Sequence, residues 1–539
     1  MHKDATQEPG KSPQARNPPR KVLFTGLLSA AAIIAAAGGI VAAAALAPEP
    51  AGSRNLPVPL AAVPAGSSIG VCPGPARLLK GTEAGTDPQF SPESATARSA
   101  VSGAVISAPG GVLPASRLSA LGGTTAVEIA KGDAQPGGDA GPQELKAGVI
   151  EQRAVDAATV LSADAREGKK PSAAALTKYS ATDGDLQGTA AATCQQPSND
   201  LWLAGGSTTL GRTSVLILSN ASTTPATVSL ELFGAKGQIQ APGSRGLLVA
   251  PGTTRSIVLA GLAPGEAQLS VHVRSAGGPV AAVIQQSVLR GLTPGGVDFI
   301  SPGAAAAARQ VLTGVDIQDA GALASLTRQK GYEDAGPALQ LTVPGQSDAV
   351  VEIKLFGRDG QKALPGGGVV TAKAGAVTEV SLAGVPAGHY TLSATSDVSF
   401  VAAARVTRGL KDDSASDVAW ASAGVRLGSQ HVVPVPQGGQ RILVFGALED
   451  RATISYSAVT ADGKIQAASS ADIAGGTTTS IDIPEKVQES AVVGYIVSAS
   501  GDAAYGALLL QQDGRDDVST LALLPAASGQ EKIPVTLGY

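Results

Sequence analysis

Four histidines, two cysteines and two short acidic clusters are the side chains of this 539-residue chain whose type and spacing could do chemistry. A histidine works as a general acid or base only beside a group that orients it. His2, His272, His389 and His431 each stand alone, and none recurs at an equivalent place in the repeats described below, so each reads as structural. No His-Glu-x-x-His, no Gly-x-x-x-x-Gly-Lys and no Gly-x-Gly-x-x-Gly after a strand is present. Gly66-Ser-Ser-Ile-Gly70 matches Gly-x-Ser-x-Gly by letter, but a nucleophile elbow needs a strand before it and a helix after it. Here a Pro/Ala stretch precedes and Val71-Cys-Pro73 follows. No catalytic, cofactor-binding or metal-binding residue is assigned, and the chain is not expected to be an enzyme. The acids Asp412, Asp413 and Asp417, and then Asp513, Asp516 and Asp517, could supply calcium oxygens at module joints. Their expected role is that of solvated turn residues.

Cys72 and Cys194 are an even pair with no Cys-x-x-Cys, so a redox or zinc role has no support. In an exported chain they are most simply one disulfide. Trp202, Trp420 and Phe299 fall in similar sequence contexts near module ends. A core or joint role is expected for them, with an exposed sugar platform as the alternative.

Composition narrows the class. The chain has 67 Gly and 35 Pro, with 3% aromatic and 16% charged residues, which disfavours a helical enzyme and suits short strands joined by turns. A net charge of −4 argues against nucleic acid as a partner. Residues 22–47 form an uncharged stretch after Arg20-Lys21, long enough to span a bilayer as a helix. The basic tail 1–21 would stay in the cytoplasm and the bulk of the chain would be exported. A cleaved signal peptide is the alternative, although Pro48 fits poorly after Ala45-Leu-Ala47. Residues 48–66 read as a Pro/Ala/Gly stalk.

The elements that would position these residues repeat. Leu232-Phe-Gly-Ala-Lys-Gly237 returns as Leu355-Phe-Gly-Arg-Asp-Gly360 and, more diverged, as Thr460-Ala-Asp-Gly463. Each sits between alternating apolar runs such as Ala226–Phe233 and Ala349–Phe356, so each predicts a hairpin turn. A period of roughly 100 to 120 residues matches one small domain per copy rather than a solenoid. The expected fold is all-β: tandem immunoglobulin-like antiparallel sandwich modules after one transmembrane helix. Expected boundaries are a divergent module with the disulfide over 67–206, then repeats over 207–303, 304–424 and 425–526, and a tail over 527–539. Asp200-Leu-Trp-Leu-Ala-Gly205 is expected to close the divergent module, as Asp298, Asp417 and Asp517 open the closing pieces of the other three.

Val71-Cys-Pro-Gly-Pro75, Cys194 followed by Trp202-Leu-Ala-Gly-Gly206, Leu216-Ile-Leu-Ser-Asn-Ala221 and Pro225-Ala-Thr-Val228 resemble an uncharacterised actinobacterial family, a domain of unknown function. The resemblance implies a basic tail, one membrane segment and an exported Ala/Gly/Pro-rich region, and it implies no activity or ligand. The expected function is a non-catalytic, membrane-anchored extracytoplasmic scaffold or interaction protein of the cell envelope. Its partners would be the bilayer through residues 22–47 and either an envelope protein or cell-wall glycan. Glycan binding is the alternative function, and a wall-acting hydrolase or transferase the least favoured one.

Overall fold

The structure is a computed structural model that describes residues 60–63, 66–79, 93–107, 112–132, 145–166, 171–411, 414–525 and 531–534. Nearly all of the described elements are antiparallel strands, and the one α-helix among them is Ala320–Leu326. The run 22–47 lies outside the described residues; among those described, no helix is long and apolar enough to cross a membrane. Leu60–Val63 and Glu531–Pro534 pair in a small sheet of their own.

Residues 66–525 form four two-layer units, each a pair of sheets around a shared apolar core. The second unit shows the plan. One sheet runs in the order Asp200–Ala204, Leu269–Gly277, Ala226–Gly234, Gly237–Ile239, and the other in the order Thr253–Val258, Arg212–Asn220, Ala281–Arg290, Thr293–Ile300. Alternation sets which faces meet: Val228, Leu230 and Leu232 point inward with Leu216, Leu218 and Ile284 of the facing sheet. The same order recurs in the first unit, whose sheets include Ser68–Cys72 and Gly188–Thr193, and in the fourth, which runs from His431–Pro434 to Val518–Ala522. In the third unit one 21-residue strand, Gly388–Arg408, crosses from one sheet to the other. The expected hairpins are present; Gly237 and Gly360 sit at φ +130° and +106°, backbone that L side chains rarely adopt.

One expectation about the repeats needs correction. Asp200–Ala204 does not close the divergent module. Its backbone pairs residue by residue with Leu269–Gly277, from Asp200 opposite Arg274 to Ala204 opposite Ser270, so it opens the second unit. The first unit closes with Gly188–Thr193 instead. Trp202 is therefore not equivalent to Trp420, which lies on the closing strand Asp417–Ser422.

The units are not strung out like beads. Each closing strand is the edge of its sheet, and the four edges Gly188–Thr193, Thr293–Ile300, Asp417–Ser422 and Val518–Ala522 lie side by side around one axis. Ala190 and Ala192 of the first unit pack on Val297 and Phe299 of the second. Val418 and Trp420 of the third join the core of the second. Leu509 and Val518 of the fourth join the core of the third. Leu176 and Ala191 of the first join the core of the fourth, which closes the ring. The same closure is reinforced outside the axis, where the Ala147 N–H donates to the Gly463 carbonyl at 2.9 Å. A segment with no counterpart among the described residues of the other units also bridges neighbours. It contains Ala320–Leu326, capped by Asp319, and its Asp334 accepts from Arg212 at 2.7 Å and from Arg290 at 3.0 Å, both in the second unit.

Candidate functional site

An edge strand carries a row of N–H and C=O groups that must be satisfied once buried. On the axis this is done by carboxylates rather than by a continuous sheet. Asp417, of the third unit, accepts the backbone N–H of Val297 of the second unit at 3.0 Å, of Thr189 of the first at 2.8 Å and of Val518 of the fourth at 3.0 Å. Asp298, of the second unit, accepts the Trp420 N–H at 2.8 Å and the Ser519 hydroxyl at 3.0 Å; Ser519 Oγ in turn accepts the Ala191 N–H at 3.1 Å. Each of these two aspartates thus ties together strands of all four units. Asp517 accepts from the Thr189 hydroxyl at 3.1 Å and from Arg515 at 2.9 Å.

Asp417 and Asp517, expected to be solvated turn acids, are buried, and so is Asp298; Asp513 and Asp516 are exposed as expected, and Asp412 and Asp413 lie outside the described residues. Burial pushes the Asp298 carboxyl up to about 7 against the opposing pull of its hydrogen-bond donors. Burial, with the nearby Asp517 charge adding to it, raises Asp417 well above the usual carboxylate range. Asp517 is raised by burial as well, with Arg515 opposing. These acids hold the ring together. Their oxygens are committed to backbone and side-chain donors of this chain, not to an open coordination site.

Where the closing strands end, the ring leaves a cavity of about 440 Å³ to which all four units contribute. Ser68–Gly70 and Thr193–Gln196 come from the first unit, Phe299 and Ser301–Gly303 from the second, Trp420 and Ser422–Val425 from the third, and Thr520–Pro525 from the fourth. Among the described residues lining it, none is acidic, basic or a histidine. Three lining side chains carry a polar atom with no hydrogen-bond partner among the described residues: Gln195 Nε2, Ser301 Oγ and the Trp420 indole N–H. Gln195 is otherwise anchored, since its Oε1 accepts the Ala282 N–H at 3.1 Å and its backbone pairs with Val71.

The surroundings hold this cavity in shape. Cys72 and Cys194 are joined by a disulfide, and both are buried in the core of the first unit, with Cys194 on the cavity wall. Ser422 Oγ donates to the Ser301 carbonyl at 2.9 Å across the joint between the second and third units. His431 fixes the rim: its Nδ1 meets the Leu524 carbonyl at 2.7 Å, and its Nε2 accepts the Gly428 N–H at 2.7 Å, so the imidazole is neutral with the proton on Nδ1. Burial lowers its pKa, consistent with that state. Trp420 packs so closely that a Cβ on Gly205 would come within 2.5 Å of its ring.

The remaining residues singled out by sequence do not gather here. His272 lies between Glu231 at 2.8 Å and Asp200 at 3.1 Å and stacks on Trp202, with ring centroids 4.0 Å apart. His389 contacts Ser480 at 2.9 Å. Gly66-Ser-Ser-Ile-Gly70 leads into the opening strand Ser68–Cys72 with no helix behind it. The recurrence of an aspartate in or just before a closing strand, at Asp298, Asp417 and Asp517, was the visible signal for the axis. The cavity lining, largely Ala, Gly, Ser and Leu, carries none.

The arrangement can enclose an uncharged group. Among the described residues lining it, no side chain titrates to move a proton. No curated protein and no solved structure matches the chain. The model of a family of unknown function does match, over residues 149–484, which takes in Cys194, Leu216–Ala221 and Pro225–Val228 but not Val71–Pro75. That match spans more than half of the sequence, and the chain belongs to this family, DUF5719.

Proposed function

We propose that this chain is a non-catalytic binding and scaffold protein, anchored in a bacterial envelope membrane through residues 22–47 and exposed outside it as a ring of four immunoglobulin-like modules. The observation that carries the non-catalytic reading is the cavity wall, built by all four units from uncharged residues. General acid–base and nucleophilic chemistry both need a titratable or activated side chain at the reacting centre. The disulfide supports an oxidising compartment, since such bonds persist outside the cytosol. An actinobacterial source rests on the sequence resemblance alone.

The reading is tested in cells by carbonate extraction of membranes, protease shaving of intact cells, and co-sedimentation of the full chain with purified wall sacculi. Retention in carbonate-washed membranes, digestion from outside and no saturable pelleting are expected. Saturable, competable pelleting would put glycan recognition in place of a lipid or protein partner. Release by carbonate or protection from protease would overturn the anchored, exported topology.

A further inference from the structure

A second cavity, of about 330 Å³, lies between the third and fourth units, beside the turn that leads into the closing strand Val518–Ala522. We propose that this groove binds a small zwitterion, a compound carrying a carboxylate and an ammonium group close together, as a free amino acid does. The inference does not depend on the membrane anchor. The volume lies within the size range of small-molecule sites. Among the described residues lining the groove, none has an apolar side chain, so a lipid or an apolar peptide face would find nothing there to bury against.

The fold holds the polar groups in place. Gln440 stands directly opposite Gln511, at the paired ends of Gln440–Ala447 and Ala504–Gln511. The chain then turns tightly: the Arg515 N–H donates to the Gln512 carbonyl at 3.3 Å, and Gly514 takes φ +67°. This turn brings Asp513, Arg515 and Asp516 to one wall. Arg408 comes from the third unit, its Nη1 fixed on Asp316 Oδ2 at 2.9 Å. Gln511 Nε2 donates to the same oxygen at 3.0 Å. A carboxylate only accepts, so the amide oxygen of Gln511 must face away from it.

These groups leave open hydrogen-bonding atoms. Gln511 is more than nine-tenths buried and lines the groove, yet its Oε1 has no partner among the described residues and is not sealed from solvent. The same holds for Arg408 Nη2 and Arg515 Nη1, whose guanidinium groups are anchored through their other nitrogens. Gln440, Asp513 and Asp516 are exposed, and their side chains make no hydrogen bond among the described residues.

Charge selects the ligand. Arg408 is paired with Asp316 and Arg515 with Asp517, while the buried Arg441 and Lys178, which feel Asp513 and Asp517, offset the open carboxylates. A plain anion would meet Asp513 and Asp516, and a plain cation would meet Arg408 and Arg515. A zwitterion suits both: its carboxylate takes the guanidinium N–H groups, and its ammonium donates to the aspartates and to Gln511 Oε1. Such charge-assisted bonds are about twice as strong as neutral ones. A sugar would find donors and acceptors but no apolar or aromatic face for its ring.

The test is isothermal titration of the full chain with glycine, with acetate, methylamine and glucose as the comparison ligands. Saturable glycine binding is expected, about tenfold or more tighter than acetate or methylamine. Asp513→Asn combined with Asp516→Asn removes the ammonium partners from exposed positions; glycine affinity should fall about tenfold, with no fall for acetate. An unchanged thermal midpoint establishes that this variant is folded; should it not be, Gln440→Trp, which fills the groove from its exposed edge, replaces it with the same expected loss. No saturable heat from glycine up to about 50 mM overturns the site. So does acetate or methylamine binding as tightly as glycine, or glycine binding indifferent to the variants. Glucose binding in place of glycine overturns the zwitterion and makes the groove a sugar site.

Discussion

Asp298→Asn isolates the energetic cost of burying a carboxylate on the ring axis. In the folded chain this group is held at about 7 against an ordinary value of 3.8, chiefly by burial. A separation of about 3 pH units corresponds to about 4 kcal/mol that ionisation of Asp298 costs the fold. The sign follows from proton counting. Between pH 3.8 and 7 the unfolded chain has lost this proton while the folded chain keeps it, so stability rises as pH falls through that window. Above about pH 7 the full cost is present; below about 3.8 it is absent. Asparagine is neutral throughout, and any constant penalty from its amide is the same at each pH. The measurement is urea unfolding of both proteins at pH 4.5 and 8.5. The stability of the variant relative to the parent should improve by about 3 kcal/mol on going from the lower to the higher pH. Asp417 and Asp517 titrate in both proteins and largely cancel. Equal offsets at the two pH values would refute the claim that Asp298 is a buried acid with a raised pKa.

Other expectations follow from neighbouring features. His431 is neutral and has a lowered pKa, so its contribution is complete above the ordinary value of 6.5 and is lost as pH falls below it; His431→Ala should flatten that acid limb in a pH series of thermal midpoints. Asp417→Ala leaves the N–H groups of Val297, Thr189 and Val518 unpaired, at about 1–3 kcal/mol each, and hydrogen exchange should rise first along the four closing strands. Gly205→Ala forces a Cβ against Trp420 at φ +116° and should cost roughly 2–4 kcal/mol; an unchanged midpoint would show that the joint between the second and third units is loosely packed. Replacing Cys72 and Cys194 together by Ser opens a loop spanning a separation of 122 residues and should cost about 4–5 kcal/mol in the chain-entropy account, read by denaturant titration under non-reducing conditions.

Local chemistry was legible from the residues alone. Alternation along Ala226–Gly234 and Ala349–Gly357 marks half-buried strands, and the glycines after them mark hairpins, because both signals depend only on neighbours along the chain. The pairing of Cys72 with Cys194 was legible for a simpler reason, there being no other cysteine. The assignment of Asp200–Ala204 was not: its sequence looks like a closing strand, and only its pairing with Leu269–Gly277 decides which unit owns it. The helical segment around Ala320–Leu326 was missed as well, since a seven-residue helix with one capping aspartate leaves almost no periodicity to read.

The sequence by itself determined many of the strands, their hairpin turns and the recurrence of similar pieces along the chain, since each of these is set within a span of a few dozen residues. Tertiary structure alone decided that the four units close on themselves, that Asp298 and Asp417 belong in the interior, and that a shared cavity opens where the closing strands end. The reason is physical. Whether an aspartate sits in water or among buried N–H groups depends on strands 100 or more residues away, such as Thr189 and Asp417, separated by 228 positions. Likewise a wall of Ala, Gly, Ser and Leu acquires meaning only when four chain segments surround the same space.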